Sequence, residues 1–269
     1  MRLLLTNDDG INSPGLFLLA AALRERGHRV FIVAPSSDQS GVSHAISFLR
    51  GPRKLSEVDT DTWICEGTPV DCVVTALLGG IPELAIRSEP GSTTERIPPD
   101  AVISGINRGA NLGTDITFSG TAAAARQGAL FFLPSLALSL IEGPVWNWDM
   151  AVIFVVEQLA HILSLWKPDS FLNINIPNKQ EIPSALVHAF PSLRYYNDRM
   201  EIFHAPDGCT YCFPRAGKPS ASFGDVSKGA DPNPEEGSDW DIVSRNNASV
   251  SEICIHPVLL ESVRGRGEG

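Results

Sequence analysis

The chain has no apolar run approaching the roughly 18 uninterrupted residues of a membrane-spanning helix. Its start, Met1-Arg2 and then a short apolar run ending in acid, lacks a secretion signal's long apolar region and small-residue cleavage site. A cytoplasmic location with no membrane partner is therefore expected. Positive charge is also short: 21 Lys and Arg against 31 Asp and Glu leave a net charge of −10. That disfavours a nucleic-acid polymer as partner, because backbone binding needs an excess of cations. It leaves room for a small anion if a metal mediates. No G-x-G-x-x-G follows the first strand-like segment, which counts against a dinucleotide oxidoreductase. Cysteine is scarce and odd in number, at five, which favours reduced thiols over a disulfide framework. Cys209 and Cys212 form a C-x-x-C with His204 nearby, but the second ligand pair of a structural zinc site is missing. The surrounding "EIFHAPDGCTYCF" reads instead as a hairpin.

Several segments carry regular structure. "RLLLT" (2–6) is a strand of continuous apolar character, as expected where both faces are covered. Ser13 and Pro14 then suit the start of a helix and Gly27 its stop. "HRVFIVA" (28–34) is a second strand, and "TPVDCVVTALLGG" opens a helix on a T-x-x-D capping pattern. "DAVIS" (100–104), "PSLALSL" (134–140) and "SFLNINIP" (170–177) are further strands, and "MAVIFVVEQLAHILSLW" (150–166) is a helix between the last two. This alternation predicts an α/β fold: a three-layer α/β/α Rossmann-like core with a mostly parallel sheet. The core should span 1–195. Residues 196–269 form a smaller C-terminal region with the hairpin, a long Pro/Gly/Ser-rich loop over 214–241 and a strand-like "SEICIHPVL" (251–259). A shorter irregular insertion is expected over 87–100, and a frayed end at "RGRGEG".

Three segments at strand ends hold the chemistry: Asn7-Asp8-Asp9-Gly10, "APSSDQSGVSHA" (34–45) and "SGINRGANLGTDITFSGT" (104–121). In open parallel sheets, ligands bind beyond the carboxyl ends of the strands. Adjacent carboxylates repel unless something positive lies between them, and oxygen donors suit a hard divalent cation such as Mg²⁺ or Mn²⁺. Asp8 and Asp9 supply the charge, with Ser40 and Asn107 as further donors. The turn at Gly10 must bend the chain for both carboxylates to reach one ion. An Asx-turn capping the next helix is the other reading of Asp8-Asp9. Ser119-Gly120-Thr121 opens the Ala-rich "TAAAARQGAL", and a helix N-terminus there offers N–H groups to a phosphate; an ordinary N-cap would explain the serine alone.

"TNDDGINSPG", "QSGVSH", "EGTPVDCV", "SGINRGANLG", "FSGT", "PSLALSL" and "LNINIPN" occur in the order and approximate spacing of the SurE family, the survival-protein nucleotidases. The chain closely resembles that family over residues 1 to about 178, and in outline through "VSEICIHPVL". The resemblance implies a divalent-metal-dependent phosphatase of nucleoside monophosphates, a 5′-nucleotidase with 3′-nucleotidase and exopolyphosphatase as further activities. It implies one metal ion per subunit and a homodimer, or a homotetramer, exchanging C-terminal segments. By motif match the metal ligands fall on Asp8, Asp9, Ser40 and Asn107, with Asp8, Asp9 and Asn111 as the catalytic set. Asn7, Gly41, Ser43, His44, Ser119, Gly120 and Thr121 lie on the phosphate and substrate side, His44 as an acid for the leaving group or as a loop imidazole beside the site. Two departures stand out: Gln127 where the family commonly has glutamate, and Arg126 where it has a smaller apolar residue. Altered helix packing or surface, not lost catalysis, is expected from them. Two other readings stay open, a non-catalytic nucleotide-sensing module and a haloacid-dehalogenase-like phosphatase. The latter expects D-x-D, and here the two aspartates are adjacent.

Overall fold

The computed structural model describes residues 1–47, 50–86, 96–220 and 234–257. Its strands are β1 (Arg2–Thr6), β2 (Arg29–Pro35), β3 (Leu55–Asp59), β4 (Thr62–Cys65), β5 (Ala101–Arg108), β6 (Ser135–Leu140), β7 (Ser170–Ile176), β8 (Leu186–His188), β9 (Tyr195–Tyr196), β10 (Arg199–His204), β11 (Thr210–Arg215), β12 (Pro219–Ser220) and β13 (Ala248–Cys254). The helices are α1 (Pro14–Glu25), α2 (Pro69–Thr75), α3 (Gly120–Leu130), α4 (Trp148–Ser164) and α5 (Asp239–Ser244).

Nine strands form one sheet in the order β3-β4-β2-β1-β5-β6-β7-β13-β8. The six strands from β4 to β7 are parallel; β3 and β13 run antiparallel to their neighbours β4 and β7. Alternating side chains face opposite layers. Leu3 and Leu5 pack under α1 and α4, whereas Leu4, Phe31 and Val33 pack under α2. Continuous burial from Leu3 through Thr6 follows from this two-sided cover. Among the described residues, no helix is long and apolar enough to cross a membrane.

The chain steps from β1 to β2 on one side and from β1 to β5 on the other, so the strand order reverses between β1 and β5. Loops leaving adjacent strands in opposite directions open a crevice there. Asp8 and Asp9 follow β1, and the third polar segment follows β5.

Three boundaries differ from the sequence reading. β5 runs on to Arg108 because pairing with β6 resumes at Asn107↔Ser139 after a register shift, so Asn107 sits at a strand end and not in the loop. The edge hairpin β3–β4 was not foreseen; Asp61, at φ 54, makes its tight turn. Within the Pro/Gly-rich stretch, α5 starts on a Ser238 cap whose side chain accepts from the Asp241 N–H. The change of character at residue 195 is not a break between sheets, since β13 completes the core sheet beside β7. Most of the 87–100 insertion and the "RGRGEG" end lie outside the described residues.

Candidate active site

Gly10, at φ 92, turns the chain directly after the paired aspartates. The Asn7 side chain donates to the Gly10 carbonyl at 2.9 Å, leaving its own buried Oδ1 without a partner. Ser13 takes the N-cap position of α1 but makes no side-chain cap bond; its hydroxyl lies 3.4 Å from Asp9 Oδ2. The Arg108 N–H donates to the same oxygen at 3.0 Å. Asp9 Oδ1 accepts no hydrogen bond from the described residues.

Asp8 is held at the N-terminus of α3. Thr121 donates its N–H to Asp8 Oδ2 at 2.9 Å and its hydroxyl to Oδ1 at 2.6 Å. A Cβ on Gly120 would lie 2.9 Å from Asp8 Cβ, so only glycine lets the helix end come this close. Ser119 caps the helix by accepting from Ala122 N–H at 3.0 Å. Two helix-end donors are thus spent on Asp8 and on the cap, and of the Ser119-Gly120-Thr121 turn it is Ser119 that lines the cleft. Burial pushes the Asp8 carboxyl up from 3.8 to about 6, with the Asp9 charge adding to it and the Thr121 bonds opposing. Burial also raises Asp9. Both carboxylates are ionised at a cost that a cation would remove.

The second loop is tied in from both sides. The Gln39 N–H donates to the Asp8 carbonyl at 2.7 Å, and Ser43 donates through its N–H to Phe118 O and through its hydroxyl to Thr117 O. Ser40 donates its hydroxyl to Asp38 at 2.6 Å, which leaves the oxygen's lone pairs free. Asn107 donates Nδ2 to the Gly109 carbonyl at 2.9 Å, so its Oδ1 is the free end.

Asn111 is fixed by residues that sequence reasoning did not assign. Its N–H donates to Asn175 Oδ1 at 2.8 Å, its Nδ2 to Ser139 Oγ at 2.8 Å, and its carbonyl accepts from Asn173 and Asn175. Asn173 and Asn175 are fully buried in β7. Two asparagines at i and i+2 in an otherwise apolar run were the available signal, since buried amides must be satisfied.

These elements enclose a cleft of about 510 Å³ lined by Asp8, Ser40, Gly41, Asn107, Asn111 and Ser119. Its far wall holds Arg108, Asp115, Glu142, Arg194 and Tyr196, which the sequence did not single out. Arg194 pairs with Asp115, whose other oxygen accepts from the Tyr196 hydroxyl at 2.7 Å. Burial raises Asp115, the Tyr196 bond and Arg194 charge offsetting part of that. His44 is placed elsewhere: its Nε2 lies 3.1 Å from Gln127 Oε1, and the ring lines a separate cavity beside Arg126. Among the described residues, no three His, Cys, Asp or Glu side chains cluster as a metal site. The donor set here is two carboxylates with hydroxyl and amide oxygens, which fits a hard cation and not zinc.

The sequence profile of the family described as "Survival protein SurE" matches residues 3–195. A protein of Geotalea daltonii named "5'-nucleotidase SurE" is 36% identical over 259 residues, covering 94% of this chain and 92% of its own length. One of the same name from Treponema pallidum is 41% identical over 186 residues, 67% of this chain and 92% of its own. The crystal structure of the Sure protein from Aquifex aeolicus superposes with a TM-score of 0.78 at 30% identity, covering 99% of this chain and 98% of that one.

Proposed function

Because the chain belongs to the survival protein SurE family, we propose that the cleft is the active site of a divalent-metal-dependent 5′-nucleotidase. Its substrates are nucleoside monophosphates, 3′-phosphates and short polyphosphate being further candidates. The observation that carries this reading is that Asp8 lines one cleft with Ser40 and Asn107, next to Asp9 at the same strand end, both carboxyls being raised by burial. These four residues would hold one Mg²⁺ or Mn²⁺ per subunit. Bound there, such an ion supplies charge to polarise phosphoryl oxygens and acidify a water. An acidic cleft would otherwise repel a phosphate dianion.

The chain's own groups perform the rest. Asp9 Oδ1 is free to orient the attacking water. Asn111, fixed by Asn175 and Ser139, presents its remaining amide hydrogen to the transferring group, and Ser119 flanks it. A donor that is already positioned costs no reorganisation when charge develops. Arg108 lines the cleft as well, its guanidinium held 5.2 Å over the Trp146 ring. His44, turned towards Gln127, takes no part in this assignment.

The test is phosphate release from a panel of 5′- and 3′-nucleoside monophosphates with Mg²⁺ or Mn²⁺, and again with EDTA. Release that EDTA abolishes is expected. Silence with every metal, while nucleotide still binds, would replace the enzyme with a nucleotide-sensing module.

The β10–β11 hairpin supports self-association. All twelve of its strand residues are exposed, and its cross-strand register sets Ile202 beside Cys212 on one face and Phe203 beside Tyr211 on the other. An isolated hairpin exposing Met200, Ile202, Phe203 and Phe213 buries too little to stand alone. A homodimer, or a homotetramer, covers it. Light scattering should give a mass at least twice the chain's 29.0 kDa, and a monomer would remove the proposal. Cys209 and Cys212 are free and exposed at this hairpin.

A further inference from the structure

Arg126, one of the two departures on α3, lines a second cavity together with His44, and Gln127, the other, holds the His44 ring through its Oε1. The space is about 440 Å³ and is lined by His44, Arg126, Leu130, Ile255 and His256, among others. Arg126 is half-buried, its guanidinium stacked 5.3 Å over the Phe171 ring. Among the described residues it has no hydrogen-bond or ion-pair partner, although a half-buried cation ordinarily finds a carboxylate or a carbonyl. The nearby His44 Nδ1 is buried and has no partner either. Among the described residues lining this cavity there is no carboxylate: Gln127 beside it is an amide, and the end of β13 and the segment after it contribute Cys254 and His256. Asp169, next to His256, is 3.4 Å from its Nε2. A glutamate at 127 would supply the missing negative charge. The glutamine does not.

We propose that this cavity is a second, non-catalytic binding site for a phosphate-bearing anion, with Arg126 as its charged anchor. A planar guanidinium matches two oxygens of a phosphate at once. His44 and His256, which line the same cavity, put two imidazoles beside the anion. Leu130, Ile255 and Pro257 give the rest of the site an apolar wall, suited to the body of a phosphate monoester as well as to the bare ion. Burial lowers His44, and the Arg126 charge adds to that while the Gln127 bond opposes. An anion between the two cations reverses the Arg126 effect, so binding draws a proton onto the imidazole. The site is separate from the cleft and stands whether or not the cleft hydrolyses nucleotides.

Equilibrium dialysis with labelled inorganic phosphate tests it on the full-length protein with its divalent cation. Two phosphates per chain are expected for the wild type and one for Arg126→Gln, with at least a tenfold loss of affinity at the site removed. A nucleoside monophosphate run as competitor decides whether the bare ion or a monoester is preferred. Arg126→Lys, which keeps the charge but not the fork, should restore part of the binding. Phosphate release in the hydrolysis assay should be unchanged in Arg126→Gln. The proposal is overturned if Arg126→Gln binds as many phosphates, with the same affinities, as the wild type. A wild type that binds at Arg126 but never hydrolyses nucleotide would instead remove the nucleotidase reading and leave this site standing.

Discussion

Asp9→Asn should lower nucleoside-monophosphate hydrolysis by about a thousandfold, on the order of 4 kcal/mol of transition-state stabilisation. The structure says why the loss should fall on chemistry and not on folding. Asp9 Oδ2 accepts from Arg108 N–H and Ser13 Oγ, and an asparagine carbonyl can accept both. The lost atom is Oδ1, which accepts no hydrogen bond among the described residues, together with the negative charge. Circular dichroism should therefore stay as in the wild type, while added Mn²⁺ should rescue only weakly. A variant within tenfold of wild-type activity would show that Asp9 neither binds the ion nor orients water.

The second large effect is a linkage between pH and cation binding. Asp8 has its folded pKa raised from 3.8 to about 6. A raised pKa favours the protonated form, so its contribution to stability is complete below about 3.8 and is lost as pH rises through about 6. Cation-free protein should lose about 3 kcal/mol from this residue between those limits, roughly 6–12 °C in Tm for a chain of this size. A divalent cation reverses the sign, because it binds the ionised carboxylate. The Tm gained on adding Mg²⁺ or Mn²⁺ should thus be larger at pH 7.5 than at pH 5. Asp9, also raised by burial, acts in the same direction. Scanning calorimetry with EDTA and with Mn²⁺ at both pH values measures it. Asp8→Asn should flatten most of the pH dependence in EDTA. A cation-induced gain that is equal at the two pH values would mean that the ion does not sit on Asp8.

Both expectations rest on particulars that were only partly legible in the sequence. The parallel core could be read because strands buried on both faces are continuous apolar runs, as at Leu3–Leu5 and Val30–Ala34. The α2 capping box was equally readable, and Thr68 and Asp71 make it reciprocally. Short edge elements were not. β3–β4 is a half-exposed hairpin with weak patterning, and α5 is six residues hidden among prolines and glycines.

Sequence alone determined the fold class and the candidate donors, since strand ends rich in Asp, Asn, Ser and Gly announce themselves wherever they fall. It also marked Arg126 and Gln127 as departures. What it could not carry is who faces whom across long separations. Thr121 lies 113 positions from Asp8, the carboxylate it grips. Asn175 clamps the backbone of Asn111 from a strand 64 positions away. His44 and Ser40 share one loop and open into different cavities. Those outcomes depend on sheet order and on which side of α3 a side chain leaves, and only packing the strands and helices together sets either.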